Sequence, residues 1–149
     1  MTRFTASTTS TTSTTSSRAA EYKLNYSLYN KLLILLLYKI MKNFQYDNFI
    51  CNLGQNAREN WILLEQANPN DYFFHLSAFP SGYVILETNG VEPTFDMIVT
   101  AAQLCKMHTK YYKYRDLKVD YCLCSNVSKG DIVGEVIFNS NRKVKQVKV

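Results

Sequence analysis

Apolar and polar positions divide the chain near Met41. Before it, the apolar residues gather in one uninterrupted run, Leu32 to Tyr38, bracketed by Lys31 and Lys39 and preceded by Thr5–Ser17, where twelve of thirteen residues are Ser or Thr. After it, apolar residues recur at the spacings of short strands and helices. Phe44, Tyr46, Phe49 and Ile50, aromatic and β-branched, predict a first strand or hairpin that ends near Leu53-Gly54. Asn56 to Ala67 predicts a helix, with Ala57, Trp61 and Leu64 at i, i+4 and i+7, stopped by Asn68-Pro69-Asn70. Tyr72–Leu76 and Tyr83–Thr88 read as an antiparallel pair joined by Pro80-Ser81-Gly82, followed by a loop to Pro93. Thr94 caps a second helix with Asp96 in its first turn. Ile98, Ala101, Ala102 and Cys105 form its buried stripe, and Lys106, Lys110 and Lys113 share a face near its end. Asp116–Cys124, Ile132–Phe138 and Arg142–Val149 predict three further strands, with turns at Lys129-Gly130 and Asn139-Ser140-Asn141. The class implied is α+β: a mixed, mostly antiparallel sheet packed with two main helices.

Residues 1–40 read differently. The Ser/Thr tract has nothing to bury, which predicts disorder. The seven-residue apolar run from Leu32 to Tyr38 is far short of the about 20 residues that span a bilayer. A signal peptide would place its charges first and end in small residues, and this segment does neither. Its flanking tyrosines and lysines leave an interfacial helix as the alternative. Two regions are therefore expected: a leader and short apolar segment over 1–40 and one domain over 41–149. Because every globular signal follows Met41, that residue is a candidate biological start, which mass spectrometry of the natural protein would decide.

Charge sharpens this division. The net +5 is the sum of +4 over residues 1–41, −5 over 42–105 and +6 over 106–149. An acidic stretch followed by a basic one points toward a polyanionic partner, although solvated lysines give similar counts. Twelve lysines, five arginines and 13 asparagines also fit an A+T-rich genome, which weakens arguments from lysine number alone. Cys51, Cys105, Cys122 and Cys124 are too scattered for a disulfide scaffold, so a reducing, cytoplasmic setting is expected. Only Cys122 and Cys124 lie close together. With His75 and His108 the only histidines, no zinc site and no cofactor is expected.

The best catalytic candidate is His75 in Asp71-Tyr-Phe-Phe-His75. On a strand, however, Asp71 would lie about 13 Å from it, and no nucleophile elbow, metalloprotease, phosphate-loop or dinucleotide motif accompanies the pair. No enzyme is expected. The stretch Lys106–Lys118 is richer, interleaving Lys106, Lys110, Lys113, Arg115 and Lys118 with Tyr111, Tyr112 and Tyr114. Cations neutralise phosphates and flat rings stack on unpaired bases, the combination that single-stranded nucleic acid requires. A solvated helix end with snorkelling tyrosines would have the same composition. Arg142–Lys148 would extend the patch if the last strand lies near the second helix.

The order of several short motifs adds a resemblance. Gly54-Gln-Asn-Ala-Arg-Glu-Asn60, Asn70-Asp-Tyr-Phe-Phe-His75, Pro80-Ser-Gly-Tyr-Val-Ile-Leu86, Ala101-Ala102, Val119-Asp-Tyr121 and Gly134 with Val136 follow one another as in the NFACT RNA-binding domain, the R module of ribosome quality-control factors. From about Phe44 to Val149 the chain resembles small standalone members of that family. Phe73 stands where tryptophan is usual and Tyr83 where histidine is expected. The resemblance implies a noncatalytic RNA-binding module with tRNA or ribosomal RNA as partner and a link to the ribosome and translation quality control. It also implies a polar cluster of Asn56, Asn60, Asp71 and His75. The family's peptide-tailing activity does not carry over, because the larger factors' N-terminal domains and coiled coil have no counterpart here. The alternatives are an adaptor that binds a basic protein through the acidic stretch, and a membrane-associated binder, for which the short apolar run argues weakly. The oligomeric state stays open.

Overall fold

Asn56 opens the first helix of the sheet unit by a reciprocal exchange. Its side chain accepts from the Glu59 backbone N–H at 2.9 Å, and the Glu59 carboxylate accepts from the Gln55 N–H at 2.9 Å. In the computed structural model, which describes residues 13–149, the chain divides into two compact units, one reaching to Leu36 and the other spanning Leu37–Val149. The first holds most of α1 (Ser13–Ile40), a 28-residue helix. Ser13–Ser17 of the Ser/Thr tract belong to its first turns, and residues 1–12 lie outside the described residues. No described helix is long and apolar enough to cross a membrane.

The second unit runs β1 (Lys42–Gln45), β2 (Ile50–Leu53), α2 (Ala57–Gln66), β3 (Tyr72–Leu76), β4 (Val84–Glu87), α3 (Phe95–Met107), β5 (Lys118–Leu123), β6 (Val127–Lys129), β7 (Val136–Phe138) and β8 (Lys145–Lys148). Six strands form one sheet in the order β1-β2-β4-β3-β5-β8, and β6 pairs with β7 in a separate hairpin. Every pairing among the described residues is antiparallel, and the class is α+β.

Strand alternation sorts the sheet into two faces. Cys51, Leu53, Phe74, Leu76, Val84, Leu86 and Val119 point to one side, where Ala101, Ala102 and Cys105 of α3 close a buried core. Small residues on α3 let the helix lie close against the larger strand side chains. The opposite parity carries Phe73, His75 and Asp120, with Tyr83 just before β4. Phe73 meets Tyr83 at 4.8 Å and Phe138 of β7 at 6.1 Å. Helix α2 and the β6–β7 hairpin cover this second side. They are tied together by Trp61, whose indole N–H donates to the Glu135 carbonyl at 2.9 Å, and by Lys129, which lies over the Trp61 ring and pairs with Glu65.

Several predicted elements differ from the observed ones. Helix α2 buries Asn60, Ile62 and Leu63, while Trp61 and Leu64 are half-buried and Ala57 is exposed. The expected strand Ile132–Phe138 starts only at Val136, because Gly130, Ile132 and Glu135 are taken up by a tight turn in which Gly130 N–H donates to Glu135 O and Glu135 N–H to Ile132 O. The last strand is preceded by a 3-10 turn over Asn141–Lys143.

Candidate nucleic-acid interface

Helix α3 ends at Met107, so Lys110 and Lys113 do not continue a helical face as expected. The cause is local. Thr109 takes the Lys106 carbonyl with both its backbone N–H (3.1 Å) and its hydroxyl (2.8 Å), displacing the bond that Lys110 would have made. Its hydroxyl in turn accepts from the Tyr111 N–H at 3.2 Å. Two further turns follow, Tyr112 N–H to Thr109 O and Tyr114 N–H to Tyr111 O, and the chain re-enters the sheet after Asp116, which adopts φ +55°.

These turns give the three tyrosines different roles. Tyr111 is half-buried against Phe79, ring centroids 4.3 Å apart, and anchors the loop. Tyr114 lies edge-on to the same pair yet stays 53% exposed, and Tyr112 is 45% exposed. Lys113 sits over the Tyr112 ring at 5.6 Å and Lys110 over Tyr111 at 5.4 Å. Among the described residues, Lys110, Lys113, Arg115 and Lys118 take part in no salt bridge. Lys106 is half-buried at the end of α3.

The second basic cluster joins the first through the sheet. Strand β8 pairs with β5 so that Lys118 lies directly opposite Lys148, and Leu117 and Val149 exchange backbone hydrogen bonds at 2.9 Å. Like charges facing each other across two strands destabilise the pairing. Alternation turns Lys118 and Lys148 away from the α3 side and Lys145 toward it, so the cations wrap the β8 edge rather than forming one flat patch.

The family-motif residues Asn56, Asn60, Asp71 and His75 do not form one cluster. Asn56 caps α2. The Asn60 side-chain oxygen accepts from the Tyr83 N–H at 3.0 Å, while Gly54 N–H donates to Tyr83 O at 3.0 Å. A Cβ on Gly54 would collide with the Asn60 side chain, and one on Gly82 with the Gly54 carbonyl. The Tyr83 hydroxyl, whose pKa burial and the nearby Glu135 push up to about 12, donates to the Gly134 carbonyl. Three motif pieces far apart in sequence therefore interlock at one place. Asp71, 3% exposed, accepts from Asn68 N–H at 3.0 Å and from Thr88 N–H at 3.2 Å, pinning the turn before β3 to the end of β4. His75 lies at the other end of β3, parallel to Phe73 and edge-on to Tyr83. Burial lowers its pKa, opposed by backbone hydrogen bonds and by Asp120, its partner across β5. Asp71 and His75 are not brought together as an acid–base pair.

Asn56 and Asn60 do line a cleft of about 440 Å³, whose walls include Ser81, Gly134, His108 and Lys110. The placement of His108 there has no local sequence signal, because it depends on where α3 ends. Burial pushes the Cys105 thiol up to about 11 and the Cys51 thiol up to about 12. Among the described residues no group of acidic, His or Cys side chains is placed to hold a metal ion.

No model of a known protein family matches the chain, and no curated protein matches it. Among solved structures, the chain is similar to the C-terminal part of a fibronectin/fibrinogen-binding protein from Streptococcus suis, with a TM-score of 0.65 at 22% identity over 73% of this chain. The match spans 44% of that chain. At this identity the similarity describes a shared fold.

Proposed function

We propose that the sheet unit is a noncatalytic nucleic-acid-binding module that takes RNA, tRNA or ribosomal RNA, at the loop following α3, in a cytoplasmic role linked to the ribosome. The observation that carries this reading is exposed rings in one loop with cations outside any salt bridge: Tyr112 and Tyr114 stand 45% and 53% exposed in the stretch that carries Lys110, Lys113 and Arg115. Rings take bases and cations take phosphates. The Lys118–Lys148 juxtaposition supports the same reading, since a bound phosphate would relieve it. So does the resemblance of the Gly54–Asn60, Asp71–His75 and Pro80–Leu86 stretches to the NFACT RNA-binding domain.

Fluorescence anisotropy with tRNA and a ribosomal RNA fragment tests it. If Lys110, Lys113 and Arg115 each meet one phosphate of an unpaired strand, affinity falls about 20-fold between about 50 and about 200 mM salt. Salt-independent binding, or none, overturns the reading. A second reading, a protein-binding module, is favoured by the similarity to a fibronectin/fibrinogen-binding protein and by the acidic stretch 42–105. Nuclease-resistant capture of a basic protein, lost on reversing Glu87 or Glu92, would support that reading instead.

A further inference from the structure

Asn56 and Asn60 each serve the fold with one side-chain atom only. One turn apart at the start of α2, both line the cleft of about 440 Å³. The Asn56 oxygen accepts the Glu59 backbone N–H and the Asn60 oxygen that of Tyr83, at 2.9 and 3.0 Å. A backbone N–H must meet the oxygen of an amide, so these bonds fix how both side chains are turned and leave their nitrogens over. Asn60 is only 6% exposed, yet its NH2 group has no hydrogen-bond partner among the described residues and is still reached by solvent. A buried amide with unmet donors calls for an acceptor.

The rest of the lining selects an anionic acceptor. Lys110 brings a positive charge, and the start of α2 brings the positive end of the helix dipole. His108 is held in place by its Nδ1, which donates to the Leu104 carbonyl at 3.0 Å. Among the described residues no Asp or Glu lines the cleft, and the Glu59 carboxylate at the same end of α2 is occupied by the Gln55 N–H. The Ser81 hydroxyl is occupied too, accepting from Leu76 N–H and donating to the Gly82 carbonyl. We propose that this cleft binds a phosphate monoester. Such a group presents three free oxygens to the two amide nitrogens and Lys110, whereas a phosphate bridging two nucleosides presents two. The volume lies in the range of small-molecule sites and takes one nucleotide. A free nucleotide and the phosphorylated end of an RNA strand carry the same group.

Heteronuclear NMR of the full chain with AMP tests this, and the result does not depend on whether the loop binds RNA. AMP should shift the backbone signals of Asn60, Ser81 and Lys110, and adenosine should not. Asn56→Asp and Asn60→Asp keep the oxygens that accept from Glu59 and Tyr83 and exchange each NH2 group for a charged oxygen. Each should weaken AMP binding at least about tenfold. Because Asp caps a helix as well as Asn does, Asn56→Asp should leave thermal melting unchanged. Lys113→Glu with Arg115→Glu lies outside the cleft and should bind AMP as the native chain does, even where RNA binding is lost. A short unpaired RNA compared with and without a 5′-phosphate separates the two sources. Tighter binding of the phosphorylated strand than of AMP makes an RNA end the ligand, and binding no tighter than AMP makes it the free nucleotide. Absence of shifts at about 10 mM AMP, or equal shifts with adenosine, overturns the proposal. So does AMP binding that survives both Asn→Asp changes, or that is lost in the Lys113/Arg115 variant, which would put the phosphate in the loop.

Discussion

The loop after α3 and the turn before β3 are both polar connections, and they use their charged groups in opposite ways. At the turn, Asp71 is buried and both carboxylate oxygens accept backbone N–H groups from within the fold. In the loop, the backbone is held by turns at Thr109, Tyr112 and Tyr114 and by the Thr109 hydroxyl, and the Lys110, Lys113 and Arg115 side chains stand outside any ion pair. A charge whose hydrogen bonds are all internal serves the fold; one left without a partner on an ordered backbone is available to a ligand. Sequence composition alone does not separate the two.

Removing Asp71 should have the largest effect on the fold. Asp71→Ala leaves the Asn68 and Thr88 N–H groups without an acceptor, the second in a buried setting, and should lower stability by about 3 kcal/mol in chemical denaturation. If stability falls by less than about 1 kcal/mol, the contrast between the two regions is wrong. Reversing Lys110, Lys113 and Arg115 to Glu should do the converse. RNA affinity in anisotropy titrations should drop about 100-fold or more while melting shifts little, because surface charges away from buried features change stability by about 0.5 kcal/mol or less.

A finer division runs within the loop. Tyr111→Ala removes the ring packed on Phe79 and should cost about 2–3 kcal/mol of stability. Tyr112→Ala should leave the fold intact and weaken binding of single-stranded RNA by about 1–3 kcal/mol. Calorimetry on one variant and titration on the other would show whether adjacent tyrosines really divide the work.

How much of this was readable beforehand follows the range of the interactions. Thr94 announces its helix because a cap bonds within three residues, to Met97, and Asn56, read as the start of the first helix, caps it through Glu59 in the same way. The β3–β4 pair follows from alternation and a short turn. The end of α3 was not readable, since Thr109 competing for the Lys106 carbonyl is a small preference inside a run that otherwise favours helix. Nor was the structural work of Asn60 and Asp71. Their partners Tyr83 and Thr88 lie 23 and 17 residues away and become neighbours only when β3 and β4 pair. The resemblance named these residues without separating anchor from ligand; their hydrogen bonds make that separation.

The smallest effect concerns His75, between the two regions on β3. Burial lowers its pKa below the ordinary 6.5, so the folded chain holds the ring neutral where the unfolded chain takes up a proton. The stability this neutral ring allows is fully present above about pH 6.5 and is lost as pH falls toward the folded-state value. His75→Phe keeps an aromatic ring against Phe73 and Tyr83 but removes the titration. Its stability difference from the native chain should therefore shift in the variant's favour as pH is lowered from 7 to 5, in parallel denaturation curves. A difference independent of pH would mean that Asp120 across the strand pair and the backbone hydrogen bonds offset burial, and a shift in the native chain's favour would mean that they outweigh it.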